Sequence, residues 1–421
     1  MKRKILAAAT VAALAPAAAF ATTGYFQHGY GLKAQGMGGV GIALPQDALA
    51  PATNPAGLGF IGSRADVGLL WFQPDRESQI TGNAFPGVNG NYDGNGRKGF
   101  LIPEFGISRS FGQNLAVGLA VYGNGGMNTT YKTSPFTGFG GSSPAGVDLT
   151  QIFIAPTLAY KPVPNHSFGV SLLYAYQVFS ADGLNPFAAG SVSPGNVTGR
   201  GDDTSTGWGL KLGWTGKITD AVTLGVTYQT KMNMENFDKY KGLFAEGGGF
   251  DIPETYGLGI AVKATPKLTI AGDIQQINYA GVPSVGRPVD CFFAGTCMLG
   301  ASNGPGFGWR DTTVYKLGVS YEWSKDLTLR GGYATLRQPI PSTQTLFNIL
   351  APGVVEDHLT IGATWTFDTN KELSLGYVHA FSKTVNGTSS IPPGFPPGMG
   401  GGNANLKMQQ NSLGVAFGWK M

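Results

Sequence analysis

Apolar and polar residues alternate in stretches of about ten residues, the length of a tilted membrane-crossing β-strand, and these stretches recur from residue 64 to the end of the chain. Successive side chains of a strand point to opposite faces, so each stretch has one apolar face suited to lipid. In the stretch at 167–179 that face carries Phe168, Val170, Leu172, Tyr174, Tyr176 and Val178. The pattern predicts fourteen strands, at 64–73, 99–109, 114–122, 147–160, 167–179, 204–217, 221–231, 254–263, 267–278, 311–322, 326–335, 357–367, 371–381 and 409–421.

The connections between these stretches alternate in length. Short links fall at 110–113, 161–166, 218–220, 264–266, 323–325 and 368–370, and long ones at 74–98, 123–146, 180–203, 232–253, 279–310, 336–356 and 382–408. Outer-membrane barrels have short periplasmic turns and long external loops, and lipid forces the sheet to close. We therefore predict an all-β fold, a 14-stranded antiparallel transmembrane β-barrel over residues 59–421 in the outer membrane of a Gram-negative bacterium. A soluble β-sandwich or solenoid is the alternative.

The first 58 residues follow a different pattern. Residues 1–21 have a basic start, an apolar run and a small-x-small site at their end, which predicts a secretory signal peptide. An anchor helix is the alternative, but the run is short and contains Pro16. Residues 22–58 lack strand alternation yet carry many apolar residues and a glycine cluster, and Asn54 before Pro55 suits a helix start. We predict that 22–58 forms an N-terminal hatch, or plug, in the lumen.

Composition narrows the class of protein. Charged residues make up 13% of the chain, against roughly 25% in ordinary soluble domains, and there are 66 glycines. After residue 21 no stretch has the roughly 18 consecutive apolar residues of a transmembrane helix, which excludes a helical membrane protein. Without the three basic residues of the signal, 26 basic residues face 25 acidic ones, so we expect no nucleic-acid partner.

Two cysteines and two glycine motifs are the remaining candidates for covalent or enzymatic chemistry. Cys291 and Cys297 lie in a Gly/Pro-rich loop of an exported chain, which predicts a disulfide, and their spacing without a nearby His offers too few ligands for a metal. The dinucleotide-type glycine pattern at 36–41 lacks a βαβ unit, and the G-x-S-x-G letters at 300–304 lack a strand-turn-helix setting. We expect no enzyme activity, no cofactor and no metal.

Charged side chains on the inward face of the predicted strands are candidates for ligand binding. The alternation places Lys211, Lys316 and Arg330 there, together with Asp273 and Glu104. A lumenal Lys or Arg can bind a ligand carboxylate. Because charged barrel interiors are common, the alternative is that these residues only line the lumen.

Apolar residues in two long loops are unusual, because exposed loops are normally polar. The loop residues are Phe187, Val192, Phe237, Tyr240, Leu243, Phe244 and Phe250. We predict that they are exposed on the cell-surface side as a landing site for a hydrophobic ligand. The alternative is that they pack the loops together.

A glycine cluster follows the third predicted strand. Gly123, Gly125 and Gly126 come directly after Tyr122, and such a cluster can kink a strand and break its pairing with the neighbouring strand. We predict a gap in the wall here that acts as a gate. The alternative is an ordinary loop start.

The mature sequence resembles the FadL/TodX family of outer-membrane transporters for long-chain fatty acids and aromatic hydrocarbons. The resemblance rests on the glycine-rich segment with Asp47-Ala48 and Asn54-Pro55-Ala56, followed by fourteen strands with long loops. It implies a lumenal hatch, loop capture of a hydrophobic small molecule and lateral exit through a kink formed by 123–126. It also implies that Gly24, Tyr25 and Phe26 reach the inner pocket and that 54–56 meet the wall near the kink.

Two other functions stay open at this point. A general water-filled porin would share the barrel but leave the lumen unobstructed. A surface adhesin or phage receptor would use the loops without a ligand pocket. For the predicted transporter we expect a monomer in contact with outer-membrane lipid and lipopolysaccharide.

Overall fold

Fourteen long strands carry the alternation in the computed structural model, which describes residues 22–394 and 399–421. The predicted signal peptide at 1–21 lies outside the described residues. The strands are β1 (Arg64–Thr81), β2 (Phe100–Phe111), β3 (Leu115–Tyr131), β4 (Ala145–Val163), β5 (His166–Asp182), β6 (Asp203–Lys217), β7 (Val222–Gln229), β8 (Thr255–Thr265), β9 (Leu268–Ile277), β10 (Thr312–Glu322), β11 (Leu327–Leu336), β12 (Asp357–Asp368), β13 (Lys371–Val385) and β14 (Asn403–Lys420).

The sheet closes because the last strand pairs with the first. β14 runs antiparallel to β1 from the pair Arg64–Lys420 to the pair Thr81–Asn403, and each strand between them pairs with its neighbours in sequence. The predicted barrel and its fourteen strands are confirmed. Several strands extend further at their loop ends than the sequence predicts. For example, β1 ends at Thr81 rather than at residue 73. Strand pairing continues there after the outward face has ceased to be apolar.

The two faces of the wall differ as the alternation predicts. In β5 the side chains of Phe168 and Leu172 are 52% and 45% exposed, whereas Ser171 and Gln177 are fully buried. In β14 the outward set, Leu413, Val415, Phe417 and Trp419, is exposed in the same way. The apolar face therefore points away from the lumen on strands distant from each other in sequence.

The remaining elements are short. Two-residue strands occur at Thr22–Thr23 and Phe26–Gln27, and strand extensions at Gly90–Asp93 and Asn233–Met234. The helices are α1 (Leu32–Gln35), α2 (Ala50–Thr53), α3 (Leu58–Ile61), α4 (Ala245–Gly248), α5 (Pro283–Gly286), α6 (Asp290–Phe293) and α7 (Thr345–Asn348). The 3-10 turns are Pro55–Gly57, Thr137–Phe139, Asn185–Gly190, Pro194–Asn196, Asp238–Tyr240, Tyr279–Gly281 and Ser342–Gln344. None of the helices within residues 22–394 and 399–421 has the length and the apolar composition that crossing a bilayer requires.

Long connections cover the end of the barrel opposite the short turns. They contain α4 to α7 and most of the largest buried apolar cluster. A disulfide joins Cys291 to Cys297 within this region, with Cα atoms 5.3 Å apart. The loops thus form a packed layer above the lumen.

Candidate functional site

Residues 22–61, here called the inner segment, lie within the ring of strands. Met37, Val40 and Asn54 are fully or almost fully buried. Side-chain and backbone contacts join the segment to strands around the whole ring, from β2 to β13. Its last helix continues to Ile61, past the predicted boundary at residue 58.

Carboxylates of the wall hold backbone amides of the inner segment. Glu104 on β2 accepts from the N–H groups of Gly31 and Leu32 at 3.1 and 3.0 Å. Asp273 on β9 accepts from two further amides, those of residues 41 and 42, at 2.8 and 3.1 Å. A buried backbone N–H that lacks an acceptor costs free energy, so each of these hydrogen bonds favours the observed position of the segment. The inward carboxylates therefore fix the path of the segment.

The three inward cations predicted as ligand-binding residues also contact the inner segment. Each donates a hydrogen bond to it: Lys211 to the carbonyl of Ala52, Lys316 to that of Gly39 at 3.4 Å, and Arg330 to the side-chain oxygen of Gln46 at 2.9 Å. These three side chains point into the lumen, as the alternation predicts. A ligand carboxylate at these positions would have to replace contacts of the inner segment, so the geometry favours the alternative in which they line and brace the lumen.

A buried ionic cluster, here called the charge clamp, lies near the short-turn end of the barrel. Glu372 on β13 pairs with Lys33 of the inner segment and with Arg64 at the start of β1, and Arg64 also pairs with Asp66 at 2.6 Å. Asp66 accepts from the N–H of Ala48 at 2.8 Å. All four charged side chains are less than one-tenth exposed. Removing one partner would leave a buried charge unpaired, which is costly.

Asp47 stands beside this clamp in the inner segment. Burial and the neighbouring Asp66 carboxylate raise the pKa of Asp47 to about 6. Its carboxylate accepts from the N–H of Leu49 at 3.0 Å, which orders the chain before α2. Asp47 thus connects the charge clamp to the first helix that follows it.

Asn54, Pro55 and Ala56 meet the wall at β5 and β6. Asn54 accepts from the N–H of Ala56 at 3.1 Å and donates to the carbonyl of Trp214 at 3.1 Å. A Cβ added at Gly213 would lie 1.9 Å from the Asn54 side chain, so only glycine permits this approach. The resemblance implies a contact near the kink in β3, whereas the contacts observed on β5 and β6 are two and three strands away. Gly169 and Gly213 of the wall leave room for this contact, and so determine where Asn54, Pro55 and Ala56 meet the wall.

The pairing between β2 and β3 ends part-way along both strands. It runs from the pair Phe111–Leu115 to the pair Phe105–Val121 and then stops, although β2 continues to Phe100 and β3 to Tyr131. On its other side, β3 has an irregularity between Gly123 and Gly125 in its pairing with β4. The wall therefore lacks a hydrogen-bonded ladder between the loop-side parts of β2 and β3.

Beyond this point β3 pairs with the inner segment instead. Gly125 pairs with Phe26, and the N–H of Gly126 donates to the carbonyl of Tyr25 at 3.0 Å. A Cβ at Gly125 would lie 2.1 Å from that carbonyl oxygen. The glycine cluster thus lets β3 turn inward and contact the inner segment directly.

Gly24, Tyr25 and Phe26 pack into a cluster of aromatic side chains from the loops. The ring of Tyr25 lies 5.1 Å from that of Tyr279 and 5.8 Å from that of Trp309, measured between centroids. A Cβ at Gly24, where φ is +76°, would lie 2.6 Å from the Tyr279 hydroxyl oxygen. These three residues therefore connect the loop layer with the interrupted part of the wall.

The prediction of exposed loop aromatics is wrong. Phe237 and Phe250 are fully buried, Phe187 and Phe244 are 5% exposed, Tyr240 is buried and Leu243 is half-buried, while Val192 alone of that set is exposed. Large aromatic side chains bury 150–250 Å² each, and long loops can fold over one another to achieve this. The alternative interpretation, that these residues pack the loops together, describes the structure.

Three of these residues line a small apolar cavity, here called the loop cavity. Phe187, Leu243 and Phe244 enclose it together with residues that the sequence analysis did not single out, among them Phe179, Phe307, Phe347 and Leu350. Its volume is about 40 Å³. An apolar cavity of about 150 Å³ is known to bind benzene, so a ligand entering here must displace side chains. None of the lining residues is charged.

Comparison with known proteins places these features in a family. The sequence profile of a family described as outer membrane protein transport protein (OMPP1/FadL/TodX) matches residues 8–394. Among curated proteins no match is found.

Solved structures similar to this chain share its fold. The structure of the Pseudomonas putida toluene transporter TodX aligns with a TM-score of 0.68 at 18% identity, covering 94% of this chain and 99% of TodX. A Pseudomonas aeruginosa FadL homologue aligns at 0.69 and 18% identity, covering 94% and 100%, and the Ralstonia pickettii toluene transporter TbuX at 0.64 and 18%, covering 94% and 99%. At this identity the structures show a common fold.

Proposed function

The chain belongs to the OMPP1/FadL/TodX family of outer membrane transport proteins, and on that premise we propose that it carries hydrophobic small molecules inward across the outer membrane. We further propose that residues 22–58 act as a hatch within a barrel formed by 59–421, after removal of a signal peptide at 1–21. The observation that carries the proposal is the interrupted pairing of β2 and β3 directly beside Tyr25 of the inner segment.

The proposed route has three stages. A ligand enters the loop cavity by displacing aromatic side chains such as Phe187 and Phe244. It then passes Tyr25, which contacts the loop residue Trp309 through its ring and β3 through its carbonyl. It leaves sideways into lipid between the loop-side parts of β2 and β3. Movement of Gly24, Tyr25 and Phe26 opens this route.

Lateral exit is favoured by the free energy of hydration. Moving an alkyl chain into water costs about 0.8 kcal/mol per methylene, so a chain of about fifteen methylenes would face roughly 12 kcal/mol on entering the periplasm directly. Exit into the bilayer avoids that cost. The gap in the wall therefore suits a water-insoluble cargo.

The proposed cargo is a long-chain fatty acid or an aromatic hydrocarbon. The named structural relatives include toluene transporters, and the loop cavity has an apolar lining in keeping with such ligands. We propose no catalytic step and no cofactor. We also propose that the barrel acts as a monomer whose outward apolar face contacts outer-membrane lipid and lipopolysaccharide.

Deletion of Asn124 tests the route. This residue is the extra one between Gly123 and Gly125 where β3 and β4 change register, so its removal should straighten β3 and extend its pairing with β2. We expect uptake of labelled toluene or labelled fatty acid by cells to fall about tenfold or more while the folded barrel remains heat-modifiable on gels. Unchanged uptake by a folded deletion variant would refute exit at this place.

A matched control and a second measurement complete the test. Gly331→Ala alters a strand glycine whose added Cβ would meet nothing nearer than 3.8 Å, so uptake should stay at the wild-type level. Planar-bilayer conductance distinguishes the porin alternative, because a lumen filled by the inner segment should pass little current. Large open-channel steps would contradict the proposed hatch.

A further inference from the structure

A groove on the outer side of the wall, here called the rim groove, lies at the loop end of β10 and β11. Its volume is about 630 Å³, and it is lined by Arg310, Asp311, Thr313, Tyr315, Arg337 and Ser342, among others. Thr313 and Tyr315 are outward residues of β10, because Val314 between them is fully buried on the lumenal side. Arg337 comes directly after Leu336, an inward residue at the end of β11. The groove is therefore outside the barrel and not part of the lumen.

The rim groove begins where the apolar outward face of the wall ends. On β10 the outward residues Leu317 and Tyr315 are exposed and apolar or aromatic, and the next outward positions towards the loops, Thr313 and Asp311, are polar. Tyr and Trp are enriched where a barrel meets the membrane surface, and Trp323, just after β10, is exposed at the short-turn end. At about 3.4 Å per residue and a tilt of about 40°, the chain from 315 to 323 spans about 21 Å of the bilayer normal, close to an apolar band of about 25 Å. The rim groove thus lies level with the headgroups of the outer leaflet.

Two guanidinium groups, those of Arg310 and Arg337, belong to the rim groove. Among residues 22–394 and 399–421, neither of them forms an ion pair or a side-chain hydrogen bond. Asp311 also lines the groove, but its carboxylate accepts from the backbone N–H of Ala280 at 2.8 Å and lies beyond ion-pairing distance of both arginines. The groove therefore carries two positive charges and one negative charge.

Many other cations on the loop side have an acid beside them. The ion pairs are Arg97–Asp148, Lys98–Asp75, Lys231–Asp251, Arg287–Glu246, Lys383–Glu356 and Lys407–Glu77. Arg200 and Lys241 lack such a partner in the described part of the chain, but they do not line the rim groove. Arg310 and Arg337 differ from all of these, because they share one groove and have no acid of the chain as counter-ion. They are placed to bind an anion that comes from outside the chain.

The size of the rim groove indicates how large that anion can be. Sites for small molecules usually have volumes of about 300–1,000 Å³. The groove, at about 630 Å³, is within this range and can hold a phosphorylated sugar. A guanidinium binds a phosphate through two parallel N–H···O contacts, and two arginines can hold one phosphate between them.

We propose that the rim groove binds a phosphate of the glucosamine headgroup of lipopolysaccharide, with Arg310 and Arg337 as its two cations. This deepens the proposed contact with lipopolysaccharide and rests on it, because it names the place of that contact and the chemical group that is held. The acyl chains of the same molecule run along Tyr315 and Leu317, which are exposed directly below the groove. A free phosphate lacks these chains and would lose that part of the binding.

Native mass spectrometry with two competing lipids tests the proposal. The whole barrel is refolded from inclusion bodies into a maltoside detergent, so that it carries no lipid from cells. It is then mixed with equal amounts of lipid A and of lipid A from which both phosphates have been removed, and the two complexes are separated by mass. Each basic residue near a membrane surface contributes about 1 kcal/mol to binding an anionic lipid, so two arginines should favour the phosphorylated form by about tenfold or more.

Charge-matched double variants assign the preference to the groove. Arg310→Gln/Arg337→Gln should lower the ratio of the two complexes to about one, and Arg310→Lys/Arg337→Lys should retain part of the preference. Arg200→Gln/Lys241→Gln removes the same charge from exposed loop positions outside the groove and should leave the ratio unchanged. Heat-modifiability on gels shows that each variant is folded. A preference that survives Arg310→Gln/Arg337→Gln would overturn the site.

The wild type alone also decides the matter, whether or not the variants fold. Equal binding of both lipids would overturn the phosphate site and leave the proposed lipid contact intact, whereas binding of neither would count against that contact itself. Inorganic phosphate at the concentration of the lipids should not change the ratio. If it reduced the preference, the groove would be a site for free phosphate, and the assignment to lipopolysaccharide would be overturned.

Discussion

Different forces hold the inner segment on its two sides, here called the aromatic end, near the loops, and the charged end, near the short turns. Near the short turns, Lys33 belongs to the charge clamp and pairs with Glu372, which also pairs with Arg64. Near the loops, Tyr25 is surrounded by the rings of Tyr279, Trp309 and others. Aromatic contacts can be exchanged for contacts with an apolar ligand, but separating buried ion pairs leaves unpaired charges. We therefore expect motion during transport at the aromatic end, with the charged end as its fixed point.

Glu372→Gln, which removes the shared carboxylate of the charge clamp, should have the largest effect on stability. It leaves Lys33 and Arg64 without their shared carboxylate, and we expect the free energy of unfolding in urea to fall by about 3–5 kcal/mol. Limited proteolysis should then cut within the inner segment. Glu77→Gln is the matched control, because its pair with Lys407 is about half exposed and should contribute less than about 1 kcal/mol. Equal effects of the two substitutions would show that the clamp does not anchor the segment.

Gly125→Ala should loosen the aromatic end with an intermediate effect. The added Cβ would lie 2.1 Å from the carbonyl oxygen of Tyr25, and backbone must shift to relieve this, at a cost of about 1–3 kcal/mol. Hydrogen exchange should accelerate at Tyr25 and Phe26 but not at Gly31 and Leu32. Gly331→Ala is the control, because the atom nearest to its added Cβ is the carbonyl oxygen of Thr360 at 3.8 Å, an ordinary contact distance. Uniform acceleration along the whole segment would contradict two separately held ends.

Tyr279→Phe should have the smallest effect on stability. It separates the contribution of the ring contacts from that of the hydrogen bond at the aromatic end. The Tyr279 hydroxyl donates to the carbonyl of Thr23 at 2.5 Å, and losing one such bond typically costs about 1 kcal/mol. The ring contacts with Tyr25 remain. Urea unfolding is the measurement, with Tyr315→Phe as a control expected to change stability by less than about 0.5 kcal/mol, because Tyr315 is 53% exposed and its hydroxyl has no hydrogen-bond partner among the described residues. A loss larger than that of Gly125→Ala would mean that polar contacts hold this end.

The barrel could be predicted because its signal is local. A strand facing lipid on one side and the lumen on the other must alternate, and the direction of Lys211, Lys316 and Arg330 follows from that alternation alone. What these cations contact could not be predicted. Their partners lie on the inner segment, whose irregular path has no period that a sequence pattern reveals.

The loop aromatics and Arg76 were mispredicted or missed for related physical reasons. Burial of Phe237 and Phe250 depends on packing between loops far apart in sequence, which hydropathy within one loop does not report. Arg76, an inward side chain that is 1% exposed, lies on β1 beyond the predicted strand end at residue 73. There the outward residues Asp75 and Glu77 are polar, so the apolar alternation ends although pairing with β14 continues.

The pairing of β14 with β1 has a consequence for biogenesis. β14, which has eighteen residues, pairs with the whole length of β1, so residues 403–420 close the ring. Until Asn403–Lys420 has been exported, β1 and β13 each present an unsatisfied edge that no bilayer can tolerate. A chain shortened at its carboxyl terminus would be expected to stall in the periplasm, however well its other thirteen strands are made.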